Sequence, residues 1–168
     1  MEEVSRLSPP ELLAEHHSIE DFLSGEPSLD EWLRRRARAN QVSGATRTFV
    51  VHDQKRVVAY YALASGAVSV EHAPGRFRRN MPDPIPVAVL ARFAVDQKWQ
   101  GKGVGRSLFC DAASRVARAA DAIGIRGIVV HAISTEAKKF YLKLGFDASP
   151  REPMMLVVRL ADVRSILG

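Results

Sequence analysis

A single cysteine, Cys110, stands in a chain of 168 residues, and that scarcity excludes an internal disulfide framework. It suits a reducing compartment. Long apolar runs are missing too: none approaches the roughly 18 residues that a membrane-spanning helix needs. The first residues, Met1-Glu2-Glu3-Val4-Ser5-Arg6, are acidic and lack the basic-then-apolar order of a secretory signal. A cytoplasmic protein without membrane association is therefore expected. The adjacent His16 and His17 have no second cluster at ligand spacing, so no metal is expected. Internal repeats, low-complexity tracts and linker-like stretches are absent as well. At roughly 150 residues per domain, one domain over residues 1–168 is the expectation.

What is present is the composition of an ordinary globular chain, 46% hydrophobic and 26% charged. A net charge of +5 and a pI near 9.7 are compatible with a polyanionic partner, such as nucleic acid or the phosphates of a nucleotide cofactor. They are equally compatible with an incidental excess of arginine, and composition alone does not choose.

Along the chain, Ser8-Pro9-Pro10-Glu11 has the form of a capping box and predicts a short helix to about His16. Ser28-Leu29-Asp30-Glu31 repeats the signal and predicts a helix to about Asn40. Residues 46–52 and 56–64 are rich in β-branched and aromatic side chains, with Asp53-Gln54-Lys55 as the hairpin turn between them. Tyr60 and Tyr61 are read as packing residues of that second strand, and residues 67–71 as a third. The proline- and arginine-rich stretch 72–86 has no periodicity and predicts a long surface loop. Residues 87–95 form a nearly continuous apolar run, the mark of a buried strand. A helical pattern follows over 103–122, a strand over 125–132, a helix from Ser134 to its stop at Gly145, and a last strand over 154–160. Helices, then strands alternating with helices, describe an α/β or α+β domain. Cys110 falls within the long helix and reads as structural.

The most informative segment joins the buried strand to the long helix: Gln97-Lys98-Trp99-Gln100-Gly101-Lys102-Gly103-Val104-Gly105-Arg106. A glycine-rich turn at a helix N-terminus presents unpaired backbone N–H groups and the positive end of the helix dipole, which together bind anions. Glycine lets a phosphate approach without a Cβ in the way, and Lys102 and Arg106 add positive charge. A dinucleotide fingerprint would need glycine where Arg106 stands, and the nucleotide-triphosphate loop motif has no match. The pattern Q/R-x-x-G-x-G/A does match, as Gln100, Gly103 and Gly105.

That pattern resembles the acetyl-CoA pyrophosphate signature of the GNAT N-acetyltransferases. Downstream, Ala137-Lys138-Lys139-Phe140-Tyr141-Leu142-Lys143-Leu144-Gly145-Phe146 is similar to the A-x-x-F-Y-x-x-x-G-F segment near the end of that fold. The resemblance extends over nearly the entire chain. It is strongest to the bacterial GNAT toxins of toxin–antitoxin pairs, which acetylate the amino group of aminoacyl-tRNA. Leu29-Asp30-Glu31-Trp32-Leu33 with Asn40, Arg47-Thr48-Phe49-Val50, Tyr60-Tyr61-Ala62-Leu63, Pro84-Ile85-Pro86-Val87 and Leu90-Ala91-Arg92-Phe93-Ala94-Val95-Asp96 carry it. The last of these more often reads L-G-R-L-A-V-D, so Ala91 and Phe93 are departures that bear on acyl-group selectivity.

The resemblance implies a GNAT fold, a mixed central β-sheet flanked by helices. It implies acetyl-CoA at Phe93, Ala94 and Val95 and at the turn Gln100, Gly101, Lys102, Gly103, Val104, Gly105 and Arg106. A backbone N–H near Ala94 or Val95 would polarise the thioester carbonyl. Tyr141 would be the general acid for the departing thiolate, whereas without the resemblance it reads as a core aromatic beside Phe140. No general base is assigned. Its partners would be aminoacyl-tRNA, a ribbon-helix-helix antitoxin and a second copy of the chain. Expected tRNA contacts are Arg34, Arg35, Arg38, Arg78, Arg79 and Arg92, with Arg36 and Arg76 in the same basic stretches. Each arginine alone reads as well as part of a solvated face. Two other functions remain open: acetylation of a small amine, peptide or antibiotic, and a non-catalytic acyl-CoA-binding domain.

Overall fold

In the computed structural model of the protein, residues 2–167 are described; Met1, part of the N-terminal stretch read above, and Gly168 lie outside them. The chain starts with one helical turn, α1 (Glu2–Ser5), and a two-residue strand, β1 (Glu11–Leu12), which pairs antiparallel with β2 (Arg47–Asp53). This corrects the expected helix over residues 8–16. Pro10 has no N–H, and a proline at position 9 disfavours helical geometry at Ser8. The backbone donors go elsewhere: Ser8 N–H to the His52 carbonyl and Leu13 N–H to the Thr48 carbonyl, both at 2.9 Å.

The single helix expected over 28–40 is two, α2 (Pro27–Arg35) and α3 (Ala37–Ser43). Proline begins α2, where its missing N–H would have been unpaired anyway, and no side chain caps that end. Arg36, at φ −119°, separates the helices, and Gly44, in the left-handed region at φ 82°, ends the second. From α2, Leu29 and Leu33 enter the core; Leu33 is fully buried, and its replacement by alanine would cost about 2–5 kcal/mol.

β2 turns into β3 (Arg56–Val68) through Gln54 and Lys55, both at positive φ, a two-residue turn whose twist matches that of the strands. β3 runs on to Val68, so the separate strand expected over 67–71 does not form, and a short 3₁₀ turn follows at Val70–His72. The stretch 72–86 is not the structureless loop its composition suggests. It holds α4 (Gly75–Arg78), because Phe77 is buried among Val68, Ile85, Val129 and Met155.

β4 (Ile85–Val95), α5 (Val104–Ala119), β5 (Gly127–His131), α6 (Thr135–Leu144) and β7 (Met155–Arg159) match the expected elements with ends moved by a few residues. β6 (Asp147–Ala148) and α7 (Leu160–Leu167) were not anticipated. The seven strands form one mixed sheet in the order β1-β2-β3-β4-β5-β7-β6. β4 and β5 are parallel, with Ala88 opposite Ile128, whereas β5, β7 and β6 are antiparallel neighbours.

The chain divides into two compact units, one of residues up to Ala64 with Ala91–Ala112, the other of Ser65–Leu90 with the residues from Ala113 on. In the first, Ile19, Phe22, Leu29, Leu33, Val50, Val57, Tyr60 and Ala94 form a buried cluster. In the second, Val68, Phe77, Ile85, Val87, Val129, Met155 and Val157 do so. Gly127 has no room for a side chain, since a Cβ there would lie 2.2 Å from the Val158 carbonyl oxygen. Among the described residues no helix is long and apolar enough to cross a membrane.

Candidate functional site

In the first unit, β4 ends at Val95, a 3₁₀ turn covers Gln97–Trp99, and α5 opens at Val104. Gly101 and Gly103 take positive φ, 77° and 82°, and nothing lies within 4 Å of where a Cβ would be at either. The N–H groups of Gly103, Val104, Gly105 and Arg106 have no backbone acceptor among the described residues. The strand-to-helix turn thus offers unpaired donors, the positive end of a helix of 16 residues, and open space above two glycines. Lys102, Gly103 and Arg106 are exposed, and Val104 is buried beneath them as the first apolar anchor of α5.

The Gln100 amide holds the turn from behind. Its Nε2 donates to the Val95 and Ser24 carbonyls, each at 2.8 Å. The Asp96 carboxylate accepts from Leu23 N–H and Lys98 N–H, both at 3.0 Å, and Gln97 N–H donates to the Leu23 carbonyl at 2.8 Å. On β4 itself, Phe93 and Val95 are half-buried and Ala94 belongs to the core cluster of this unit.

Arg92, two residues before Ala94, places its guanidinium over Trp32, 5.1 Å from the ring centroid, and donates to the Ala91 carbonyl at 2.7 Å. Trp32 lies parallel to Tyr60, which is fully buried and donates its hydroxyl to the Leu29 carbonyl at 2.6 Å. Burial pushes the Tyr60 phenol well above its ordinary range, against the opposing pull of the Arg92 charge, so Tyr60 stays a neutral donor.

In the second unit, α6 is capped by Ser134, whose hydroxyl accepts from Ala137 N–H at 3.1 Å, and closes at Gly145, φ 107°. Tyr141 is buried on this helix, with Phe140 and Phe146 edge-on to its ring at 5.3 and 5.4 Å. Desolvation raises its phenol well above the usual value, so it is protonated throughout the neutral range.

The arginines divide. Arg35, Arg78 and Arg79 are exposed, with no ion-pair partner among the described residues. Arg34 donates to the Phe22 carbonyl at 2.8 Å, and Arg38 to the His17 carbonyl at 2.7 Å, so both help to fold the N-terminal segment. Arg76 binds Asp162 at 2.9 and 3.0 Å.

Two groupings escaped the sequence. One is a cavity of about 660 Å³ lined by Leu23, Val57, Val58 and Trp99 together with charged residues that include Asp96, Lys98 and Lys102. The other joins Glu11, His17 and His52, whose ligand atoms all lie within 4.8 Å of one another. Chain separation hides it: the two histidines come from a turn and from the end of β2. Both Nδ1 atoms accept from backbone N–H groups, His17 from Ala14 at 2.8 Å and His52 from Lys55 at 3.0 Å. In their neutral forms both rings therefore carry hydrogen on Nε2 and donate it to Glu11, at 2.7 and 2.9 Å. A metal-bound histidine instead donates from its second nitrogen. The trio is a hydrogen-bonded staple between the N-terminal segment and the sheet. The bond from His17 first, then that from His52, holds the Glu11 carboxyl below its ordinary value despite desolvation.

Residues 44–148 match the family described as acetyltransferase (GNAT) domain. The chain belongs to the GNAT acetyltransferase family. Over 165 residues, 98% of this chain and 99% of the relative, it is 49% identical to a protein of Mycobacterium tuberculosis named tRNA-acetylating toxin. Its structure is similar to that of a tyrosine-to-phenylalanine mutant of KacT, with a TM-score of 0.88 at 25% identity over 96% of this chain and 99% of that one. It is also similar to AtaTR bound with AcCoA, with a TM-score of 0.83 at 25% identity over 98% of this chain and 99% of that one. The mixed sheet is thus that of a GNAT acetyltransferase, and the protein is an enzyme of the acetyl-CoA-using class.

Proposed function

We propose that this GNAT enzyme is a toxin that moves the acetyl group of acetyl-CoA onto the α-amino group of aminoacyl-tRNA, in the cytoplasm, and so blocks translation. The observation that carries this reading is the 49% identity to the tRNA-acetylating toxin over 98% of the chain. The open cradle over Gly101 and Gly103, ringed by unpaired N–H groups, suits a diphosphate, so the residues present fit acetyl-CoA. Bound there, acetyl-CoA supplies an activated thioester. Gln100, Gly101, Lys102, Gly103, Val104, Gly105 and Arg106 hold its diphosphate, and Phe93, Ala94 and Val95 line its acyl arm. A backbone N–H at Ala94 or Val95 stabilises charge on the carbonyl oxygen. As the neutral amine nitrogen bonds to the carbonyl carbon and the carbon–sulfur bond breaks, Tyr141 gives its proton to the sulfur, and the proton that the amine nitrogen sheds passes to solvent, which returns one to the phenol.

An α-amino group titrates near ~7.7, so much of it is already neutral at physiological pH and no strong base is required. Arg35, Arg78, Arg79 and Arg92 are the arginines placed to meet tRNA phosphates; Arg34 and Arg38 are engaged with backbone carbonyls and contribute less. Residues 1–168 act as one acetyltransferase domain, working as a homodimer and held in check by an antitoxin of the ribbon-helix-helix type. Incubating the protein with charged tRNA and acetyl-CoA and weighing the aminoacyl moieties by mass spectrometry tests the reading. An added acetyl group on the amino acid supports it, and unmodified charged tRNA overturns it.

A further inference from the structure

We infer that Asp30 is a positioning residue for the acetyl-CoA turn, acting through Ser24 and Gln100; this rests on the reading that the turn holds acetyl-CoA. Asp30 sits on α2 and is 1% exposed. Among the described residues it pairs with no cation. Its hydrogen bonds come from one residue: the Ser24 N–H donates to Oδ1 at 3.0 Å and Oδ2 at 3.2 Å, and the Ser24 hydroxyl donates to Oδ1 at 2.7 Å. A carboxylate taken out of water without a cation is costly unless its oxygens are satisfied. An apolar side chain would fill the same place on α2 without that cost.

The placement makes sense through what Ser24 does next. Its carbonyl accepts the Gln100 amide at 2.8 Å, and the same amide nitrogen reaches the Val95 carbonyl at the end of β4. Clamping the N–H and hydroxyl of Ser24 fixes the orientation of that residue, and with it the carbonyl that anchors Gln100. Neighbouring residues repeat the attachment. Leu23 bonds Asp96 and Gln97 through its own N–H and carbonyl. Gly25, at φ 99°, comes so near that a Cβ there would lie 2.9 Å from the side-chain Nε2 of Gln97. The turn is thus docked on segment 23–25, and Asp30 is the buried end of that docking. Acetyl-CoA needs the backbone N–H groups of the turn aimed at one point, and a turn free to tilt would aim them less well.

The test is a double-mutant cycle read in acetyl-CoA affinity by calorimetry and in the Michaelis constant. Asp30→Asn keeps the shape but exchanges one accepting oxygen for an amide; Gln100→Ala removes the strut. Each is expected to weaken acetyl-CoA binding about tenfold, the scale of one lost charge-assisted hydrogen bond, with kcat within about twofold. The double variant should bind no more weakly than the weaker single variant, because both act on one linkage. If the two losses multiply, or if Asp30→Asn lowers the unfolding midpoint of the unliganded protein yet binds acetyl-CoA as wild type, the inference fails. Should Asp30→Asn not fold, Ser24→Ala takes its place in the same cycle and is read in the same way. If Gln100→Ala and Gly103→Asp both bind acetyl-CoA as wild type, the turn itself is misassigned and the proposed function loses its cofactor site.

Discussion

The Arg92 guanidinium lies over the Trp32 indole, 5.1 Å from its centroid, and the Tyr60 ring lies parallel to that indole at 6.0 Å. A flexible cation is thereby held over the ring at the edge of the first unit's core, on the strand that leads to the turn at residues 97–106. A lysine ammonium at the same place would keep an attraction to the ring but not the guanidinium's planar fork of N–H donors. Arg92→Lys keeps the charge and loses the two-pronged donor. We expect the Michaelis constant for charged tRNA to rise about tenfold, with acetyl-CoA affinity unchanged, on the scale of one lost charge-assisted hydrogen bond to phosphate. An unchanged constant would remove Arg92 from acceptor binding.

The glycine cradle separates strain from charge. Gly103 sits at φ 82°, where asparagine is tolerated better than other residues, and no atom crowds a side chain there. Gly103→Asn should therefore fold and lose part of its acetyl-CoA affinity, while Gly103→Asp adds a negative charge of nearly the same size beside the diphosphate. Calorimetry should find the aspartate variant weaker than the asparagine variant by about tenfold or more, since like charges at such range repel by over 1 kcal/mol. Equal affinities would mean that no anion sits there.

Tyr141→Phe should leave acetyl-CoA binding intact and slow turnover by roughly 10²- to 10⁴-fold, the range for a lost general acid. The raised phenol pKa sets the pH profile. The group's folded value lies above its unfolded one of ~10, so the proton is retained at every pH below that. The rate should rise with pH as the acceptor amine deprotonates, and no fall due to Tyr141 should come below about pH 10. A fall near neutrality that vanishes in Tyr141→Phe would contradict the burial argument.

Much of this was legible in the chain because local chemistry and tertiary structure agree. Gln100, Gly103 and Gly105 mark the turn between a buried strand and a helix N-terminus, and Ser134 and Gly145 bracket α6 with their own cap geometry. The failures have a common cause. Ser8-Pro9-Pro10-Glu11 carries a valid local signal, but β2 supplies partners for the Ser8 and Leu13 N–H groups and the histidines take Glu11. Phe77 makes a helical turn out of a stretch whose composition reads as loop. The Asp30–Ser24–Gln100 linkage and the Glu11–His17–His52 staple join residues distant in sequence, and no spacing rule foretells them.

The staple has a pH signature. Glu11 is depressed in the folded protein, so it contributes stability above its unfolded value of ~4.3 and loses it as pH falls through the folded one. Glu11→Gln should remove that part of the acid dependence of the unfolding midpoint and leave acetyl-CoA affinity at wild type. A Glu11→Gln protein whose midpoint falls with acid as steeply as wild type would show that the trio carries none of the dependence.

The acceptor is distinguished best by salt. Arg78 and Arg79 are exposed on and just after α4, with no ion-pair partner among the described residues, and Arg35 is similarly exposed on α2. Binding tRNA through such groups releases counterions from its phosphates, so affinity must fall steeply with ionic strength. With about 4 contacts, raising salt from about 50 to about 200 mM should weaken tRNA binding roughly a hundredfold. A small-amine acceptor makes no such contacts, and its Michaelis constant should hardly move. Reversing Arg78 and Arg79 to glutamate should weaken tRNA binding and flatten its salt slope while acetyl-CoA binds as before. Wild type produced without a neutralising partner should arrest translation, and Tyr141→Phe should not. If tRNA binding proves insensitive to salt and expression of the wild type is harmless, the acceptor is not tRNA and the arginines are a solvated face.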